Sequence, residues 1–445
     1  MRKNKRGTST LFLAIILTAL ILVETTYIAY VADLDRRLTY TRALKEQTEI
    51  YLASYNRQLF KTYGIYAFDS TRLDPYVFDQ ILAANGYEVG DVIYASGIYT
   101  LDTETLRRSV AAYYSYRTSG VLFQRFSAQI MSLLGQFGNG VTDAIREFIS
   151  SPASGVVGRI INGGSDIAEA IVIAMNTLGL DESSPVVQKL YEIMGTILCF
   201  TNYAPDFSNY FDPTDLSFFF DLIGFNASIF DIGTELNETI NSHWCLADYA
   251  GNNFDCYLEE DTAIDGTSFS AFHSENEYDS EFILTGLEGM PACALTDYYI
   301  YCCLFLRNFV MNYTDPSKAE IIEGIADVLS VAVSALTAGT VSLPPSVYQV
   351  VIVALMSEAE AIVDLGTILG GGEIEFVSIG SVEALTLDYR NFLSVFMNLV
   401  PDDLLLERML TVFDRDFPGY AIGIDTETDY RGSTMHYEGR YEYYG

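Results

Sequence analysis

Residues 11–38, "LFLAIILTALILVETTYIAYVADLDRRL", decide how this chain is built. From Leu11 to Val31 there is one charge, Glu24. At about 1.5 Å rise per residue a helix of that length covers roughly 31 Å, one bilayer core. Arg2, Lys3, Lys5 and Arg6 precede it, and Tyr27 and Tyr30 sit where an interfacial aromatic belt belongs. The pattern predicts a single-pass anchor over 8–32 in the cell membrane. Its basic start, 1–7, stays in the cytoplasm, and the rest of the chain lies outside.

A cleavable export signal is the rival reading. Leu11–Val23 has the length of its apolar core, but Tyr27 and Tyr30 occupy the places where small residues would precede a cut, so the anchor is favoured. The helical pattern runs on past the membrane. Leu34, Leu38, Leu44, Tyr51, Tyr55, Leu59 and Tyr63 recur at three- to four-residue steps or multiples of them, and no Pro or Gly interrupts Thr8 to Tyr63. This predicts one helix up to about 80 Å long, with 33–63 as a stalk. Glu24 falls about 10 Å inside the outer edge of the span. A carboxylate there costs about 2–3 kcal/mol unless it reaches water, is protonated or pairs. Snorkelling makes it a marker of the membrane edge; pairing makes it a packing group between helices.

The two parts of the chain differ in charge. Residues 1–61 carry a net charge of +5 and residues 62–445 a net charge of −39, within a total of −34. The body therefore repels nucleic acid and anionic lipid. Half of the chain is apolar and 19% is charged, a folded composition.

Several stretches resemble a known family. "KRGTSTLFLAIILTALILVETTYIAY" (5–30) followed by "YLASYNRQLFKTYGIYAFD" (51–69) resembles the N-terminus of TadE/TadG-like proteins of bacterial tight-adherence (Tad, or Flp) pilus systems. It is most similar to a Gram-positive family of uncharacterised extracytoplasmic proteins with that start. Tyr55, Asn56, Arg57, Leu59, Tyr63, Gly64, Ile65 and Tyr66 match its helix-ending pattern. "LDTETLRRSVAAYYSYR" (101–117), "SEFILTGLEG" (280–289), "AEAIVDLGTILGGG" (359–372) and "LDYRNFLSVFMNLVPDDLLLERML" (387–410) are also similar. The resemblance implies a pseudopilin-like membrane protein whose N-terminal helix packs with other Tad-type assembly proteins. One departure matters: counted from Gly7, the prepilin position for Glu is Phe12, and Glu24 comes far later. This implies an anchored companion, not the polymerising subunit. There is no D-x-S-x-S metal motif of a von Willebrand A-type domain.

Beyond the stalk the pattern reads as α+β, mostly helical, over 64–445. "YEVGDVIYASGIYTL" (87–101) reads as one or two strands, and Asp102 caps a helix to about Arg117. Helical patterns return at 316–338, 346–369, 381–399 and 402–415. The apolar ones carry Glu320, Glu323 and Asp327 or Glu358, Glu360 and Asp364, and so read as buried core rather than further spans. At the C-terminus Tyr420, Ile422, Ile424, Thr426 and Thr428 alternate, as do Met435, Tyr437, Tyr441 and Tyr443, around a turn at Arg431–Gly432. That is a hairpin, and 87–100 is its expected partner in a small antiparallel sheet.

Between Lys189 and Arg307, residues 190–306 hold no Lys or Arg, and they hold all six cysteines: Cys199, Cys245, Cys256, Cys293, Cys302 and Cys303. In an exported segment these are disulfide candidates, with free buried thiols as the alternative; Cys302 and Cys303 suit different partners better than each other. Asp255, Glu259, Glu260, Asp261 and Asp265 are calcium candidates without EF-hand spacing, and the rival reading is a solvated acidic loop. A zinc set of His243, Cys245, Cys256 and His273 has no paired spacing behind it. No other cofactor is indicated. There is no P-loop, G-x-S-x-G or HExxH, and only three histidines are present, so no enzyme is predicted. The sequons at Asn226, Asn237 and Asn312 read as chance. Two functions stand: a minor pilin-like assembly component in the bilayer, or a stand-alone tethered adhesin or ligand-binding protein, stabilised by calcium.

Overall fold

The computed structural model describes residues 6–74, 76–87, 93–114, 122–123, 125–126, 128–129, 151, 165–198, 238–258, 278–341, 343–376, 385–430 and 432–441. The helices are α1 (Arg6–Ala53), α2 (Arg57–Tyr63), α3 (Val77–Ala84), α4 (Thr103–Tyr114), α5 (Ser165–Leu178), α6 (Pro185–Leu198), α7 (Glu238–Asn252), α8 (Asp279–Thr285), α9 (Met290–Thr314), α10 (Ala319–Leu336), α11 (Pro345–Leu369), α12 (Tyr389–Met397) and α13 (Asp402–Asp416). The strands are β1 (Phe68–Asp69), β2 (Ile93–Tyr99), β3 (Ile374–Phe376), β4 (Leu385–Leu387), β5 (Tyr420–Ala421), β6 (Gly423–Tyr430) and β7 (Ser433–Arg440). This is the α+β, mostly helical class the sequence predicts. The chain forms two units, Met1–Ala112 with Phe413–Gly445, and Tyr113–Val412.

In the first unit the antiparallel sheet β2–β6–β7 packs on the second half of α1. The predicted hairpin turns at Gly432, whose φ of 75° suits glycine, and Tyr430 pairs with Ser433. The register sets Thr426 opposite Tyr437 and Thr428 opposite Met435, so the two alternating sets share one face. That face meets α1. Tyr40, Ala43, Leu44, Phe78, Ile81, Leu82 and Tyr430 form one cluster with Met435 and Tyr437 against it; Tyr51, Phe68, Ala421 and Ile424 form another. Helix and strand match in length. Residues 37–52 rise about 22 Å and Ser433–Arg440 about 23 Å. The two are tied at both ends, by Arg37 Nη1 to Ser433 Oγ at 3.0 Å and by Tyr441 Oη to the Leu52 carbonyl. Gly439 lets the strand approach: a Cβ there would run into Thr48 Cγ2.

Two expectations for this unit need correction. The helix does not run unbroken to Tyr63. It stops at Ala53, because Asn56 caps a new helix: its side-chain oxygen accepts from the Gln58 and Leu59 N–H groups at 2.9 and 3.2 Å. Asn56 also donates its backbone N–H to Ala67 O and its side-chain amide to Tyr420 Oη, both at 2.9 Å, so the break is held by tertiary contacts. Nor is 33–63 a stalk. The inward face of α1 is Tyr40, Ala43, Leu44, Gln47, Thr48 and Tyr51, while Leu34 and Leu38 remain 45% and 48% exposed.

The second unit is built on α9 and α11, which lie along each other, with α5, α6 and α10 against them. The expected core reading of the apolar helices holds: α11 buries most of its length, and α10 buries one face through Ile322, Ile325, Leu329 and Val333. Two acids of α11, Glu360 and Asp364, are used in a polar ladder. Arg307 and Asn308 reach Asp364 at 2.8 and 2.9 Å, Asn312 reaches Ser357 and Glu360 at 2.9 and 2.8 Å, and Lys318 reaches Glu360 at 3.1 Å. The helix expected over 381–399 begins only at Tyr389, where Asp388 caps it through Asn391 N–H at 2.7 Å. Leu385–Leu387 before it is β4, paired with β3.

Candidate functional site

The first half of α1 stands apart from everything else described. From Thr10 to Ala32 every residue is exposed, including Leu13, Leu17, Leu20, Val23 and Tyr27. Three of its threonine hydroxyls bond within the helix: Thr18 donates to the Ala14 carbonyl at 2.8 Å, Thr26 to that of Leu22 at 2.7 Å, and Thr25 to that of Ile21. A span needs this, because lipid offers no partner for a bare hydroxyl. Glu24 is left as the one charged side chain in the stretch.

Polar partners begin abruptly at Asp33. Asp33 pairs with Arg37 at 2.9 Å, Tyr87 Oη donates to Asp35 at 2.9 Å, and Arg36 donates to Tyr430 Oη at 3.2 Å. The fully exposed apolar stretch thus ends at the turn from which α1 is clamped to the hairpin.

No family model, curated protein or solved structure matches this chain. Among the described residues α1 is the one helix that by itself is long and apolar enough to cross a membrane. Helices α8 and α9 pass the same test only when joined across a 70° bend, and they are largely buried.

The other predicted sites are dispersed. No two of Cys245, Cys256, Cys293, Cys302 and Cys303 are joined in a disulfide among the described residues, and Cys199 lies outside them. Burial pushes the Cys303 thiol up to about 12 and the Cys302 thiol well up, so both stay protonated and inert. Of the calcium candidates Asp255 is described; Glu259, Glu260, Asp261 and Asp265 lie outside the described residues. For the zinc reading, His273 lies outside as well. His243 has both ring nitrogens against oxygens, Asp402 Oδ1 at 2.5 Å and the Asn398 carbonyl at 2.9 Å, which leaves neither for a metal. Among the described residues no three His, Cys, Asp or Glu side chains converge to hold an ion. Asn312 is buried in the α9–α11 ladder, as a chance sequon would be, and Asn226 and Asn237 fall outside the described residues.

Two features were not read from the sequence. Glu281 is fully buried, and one of its oxygens accepts from Tyr389 Oη at 2.8 Å and Tyr257 N–H at 3.0 Å. Burial raises its carboxyl to about 7. Its sequence signal was present, an acid in the apolar run "EFILTGL", but one among many acids. The second is an open cleft of about 480 Å³ beside the helix break, lined by Ser54, Asn56, Asp69, Asp74, Val77 and Tyr420 among others. It exists because Asn56 turns the chain.

Proposed function

We propose that this chain is a membrane-anchored extracytoplasmic structural or assembly component, minor pilin-like, of a Tad-type pilus or secretion system. The bare apolar helix that carries Glu24 and runs without a hinge into a sheet-packed half supports this reading. The basic start at Arg2, Lys3, Lys5 and Arg6 favours a cytoplasmic N-terminus with the body outside. The strong negative charge of that body favours water over lipid or nucleic acid. The cleft beside Asn56 supports the second reading, a tethered ligand-binding protein, since its size is that of small-molecule sites.

The test uses the full chain in its native host. The protein should fractionate with membranes with its N-terminus intact, and protease on the outer side should reach residues beyond 70. It should co-purify with Tad-type assembly proteins identified by mass. Replacing residues 8–32 by an unrelated polyleucine span should keep it in the membrane and abolish that co-purification. A mature N-terminus near residue 33 would defeat the anchor. An intact anchor without assembly partners would leave the tethered-binding reading.

A further inference from the structure

The cleft beside the helix break gathers unused polar groups around an apolar floor, and all of its lining belongs to the first unit. Internal bonds fix its frame. Tyr51 Oη accepts from Gln47 at 2.8 Å and donates to the Asp74 carbonyl at 2.6 Å. Asn56 spends its side-chain oxygen on α2 and one amide proton on Tyr420 Oη. Asp69 holds Arg72 Nε and the Thr71 N–H at 2.9 and 3.0 Å. A frame formed in advance lowers the cost of binding. What it leaves over decides the ligand. Tyr420 Oη accepts from Asn56, so its own proton is still to be given, as is the second amide proton of Asn56. Asp74 Oδ1 accepts from the Tyr76 N–H at 2.9 Å, while its Oδ2 meets no donor among the described residues. Ser54 Oγ donates to the Tyr51 carbonyl at 2.6 Å and keeps its lone pairs. The apolar part of the lining is Leu73, Val77 and Ile50, the last 45% exposed.

We propose that this cleft binds a short neutral saccharide, which deepens the tethered-binding reading and rests on it. Free donors and free acceptors line the same cleft. A sugar hydroxyl both donates and accepts, so a ring of hydroxyls meets each of them. Other ligand classes leave part of the lining unmet. An anion meets Asp69 and Asp74 in a body whose net charge over 62–445 is −39. Arg72 does not offset this, because Asp69 already neutralises it. A free amino acid places its carboxylate against the same deficit. An organic ammonium suits Asp74 but offers no acceptor to the Tyr420 and Asn56 protons. A hydrocarbon leaves every polar group without a partner. On a pyranose the hydroxyls radiate from the ring edge and C–H groups cover its faces. One face then lies on Ile50, Leu73 and Val77, and the edge gives a charge-assisted bond to Asp74 Oδ2 and takes the Tyr420 proton. The volume of about 480 Å³ lies within the range of small-molecule sites, about 300–1,000 Å³.

The test uses the full chain in a detergent without a sugar headgroup, since a glycoside would itself compete. Cellobiose, maltose and N,N′-diacetylchitobiose are titrated by calorimetry, with L-lysine and glucose 6-phosphate as cationic and anionic probes. At least one of the disaccharides should bind, and neither charged probe should displace it. Asp74→Asn puts a donor where the free acceptor stood and should weaken that binding about tenfold or more. Ile50→Trp fills the cleft and should abolish it. Glu375→Gln, in the second unit, should leave it unchanged. Asp74 and Ile50 are both exposed, and an unchanged melting temperature checks that the variants fold. Binding by none of the disaccharides, or binding that Asp74→Asn and Ile50→Trp leave intact, would overturn the proposal. Lysine or glucose 6-phosphate bound in their place, and blocked by Ile50→Trp, would overturn the saccharide but keep the tethered-binding reading. Saccharide binding by a chain that also co-purifies with Tad-type assembly proteins would count against the stand-alone reading alone.

Discussion

The two halves of one helix, α1, differ in what surrounds them. Over Thr10–Ala32 it is apolar on every side and exposed on every side. Over Tyr40–Tyr51 its buried stripe includes Gln47, Thr48 and two tyrosines, and it is the spine of a folded unit. Hydrophobicity therefore marks the half that leaves the fold, and mixed polarity marks the half that builds it. Protein neighbours supply what lipid cannot. Thr48 Oγ1 lies 3.3 Å from Thr426 Oγ1, and Gln47 donates to Tyr51 Oη at 2.8 Å.

The sharpest way to break this contrast is to make the same cut in both halves. Leu44→Ala should lower the stability of the first unit by about 2–5 kcal/mol, the cost of a buried leucine cavity. Leu17→Ala should leave it within about 0.5 kcal/mol. Equal losses in a denaturant titration of the micelle-bound protein would mean that the outer half also packs inside the monomer.

A second contrast concerns two acids in apolar surroundings, Glu24 facing out and Glu281 enclosed. With its carboxyl raised to about 7, Glu281 holds its proton more tightly folded than unfolded. The folded form then binds more protons between about pH 4.5 and 7. Stability should be highest below that window, fall as pH rises through it and level off above, by up to about 3 kcal/mol. Tyr389 Oη and the nearby Arg390 temper the fall. Glu281→Gln should flatten the profile and be the more stable form at pH 8. A wild-type melting temperature indifferent to pH from 5 to 8 would contradict an enclosed, protonated Glu281.

The smallest effect lies at the break that ends the spine. Asn56→Ala removes the cap of α2 and should cost about 1 kcal/mol. It also frees Tyr420 Oη beside the cleft. A loss well above 2 kcal/mol would show that the break, and not the sheet, organises this end.

These contrasts also explain what could be read in advance. The long apolar helix was legible because 21 residues carry a single charge. The hairpin and its pairing with Ile93–Tyr99 were legible because alternation is a strict signal over eight residues. The side of α1 that packs was not. Leu34 and Leu38 look like core by type, whereas Thr48 is buried because a glycine strand lies on it. The break at Asn56 was hidden for a related reason, since its four partners come from the following residues and from Tyr420, far along the chain. Strands β3 and β4 have three residues each, too few for a periodic signal. Glu24 was visible as an anomaly from the start.

The double tie between α1 and β7 has a mechanical meaning. Helix and strand start together at Arg37 and Ser433, run in one direction and match in length, with clamps at Arg36 and Arg37 at one end and at Tyr441 at the other. Tension applied through the exposed half of α1 enters along the helix axis, parallel to this seam. The contacts are then loaded in shear, and they must yield together instead of peeling from one end. Pulling along the axis of α1 should therefore meet one cooperative resistance at this seam.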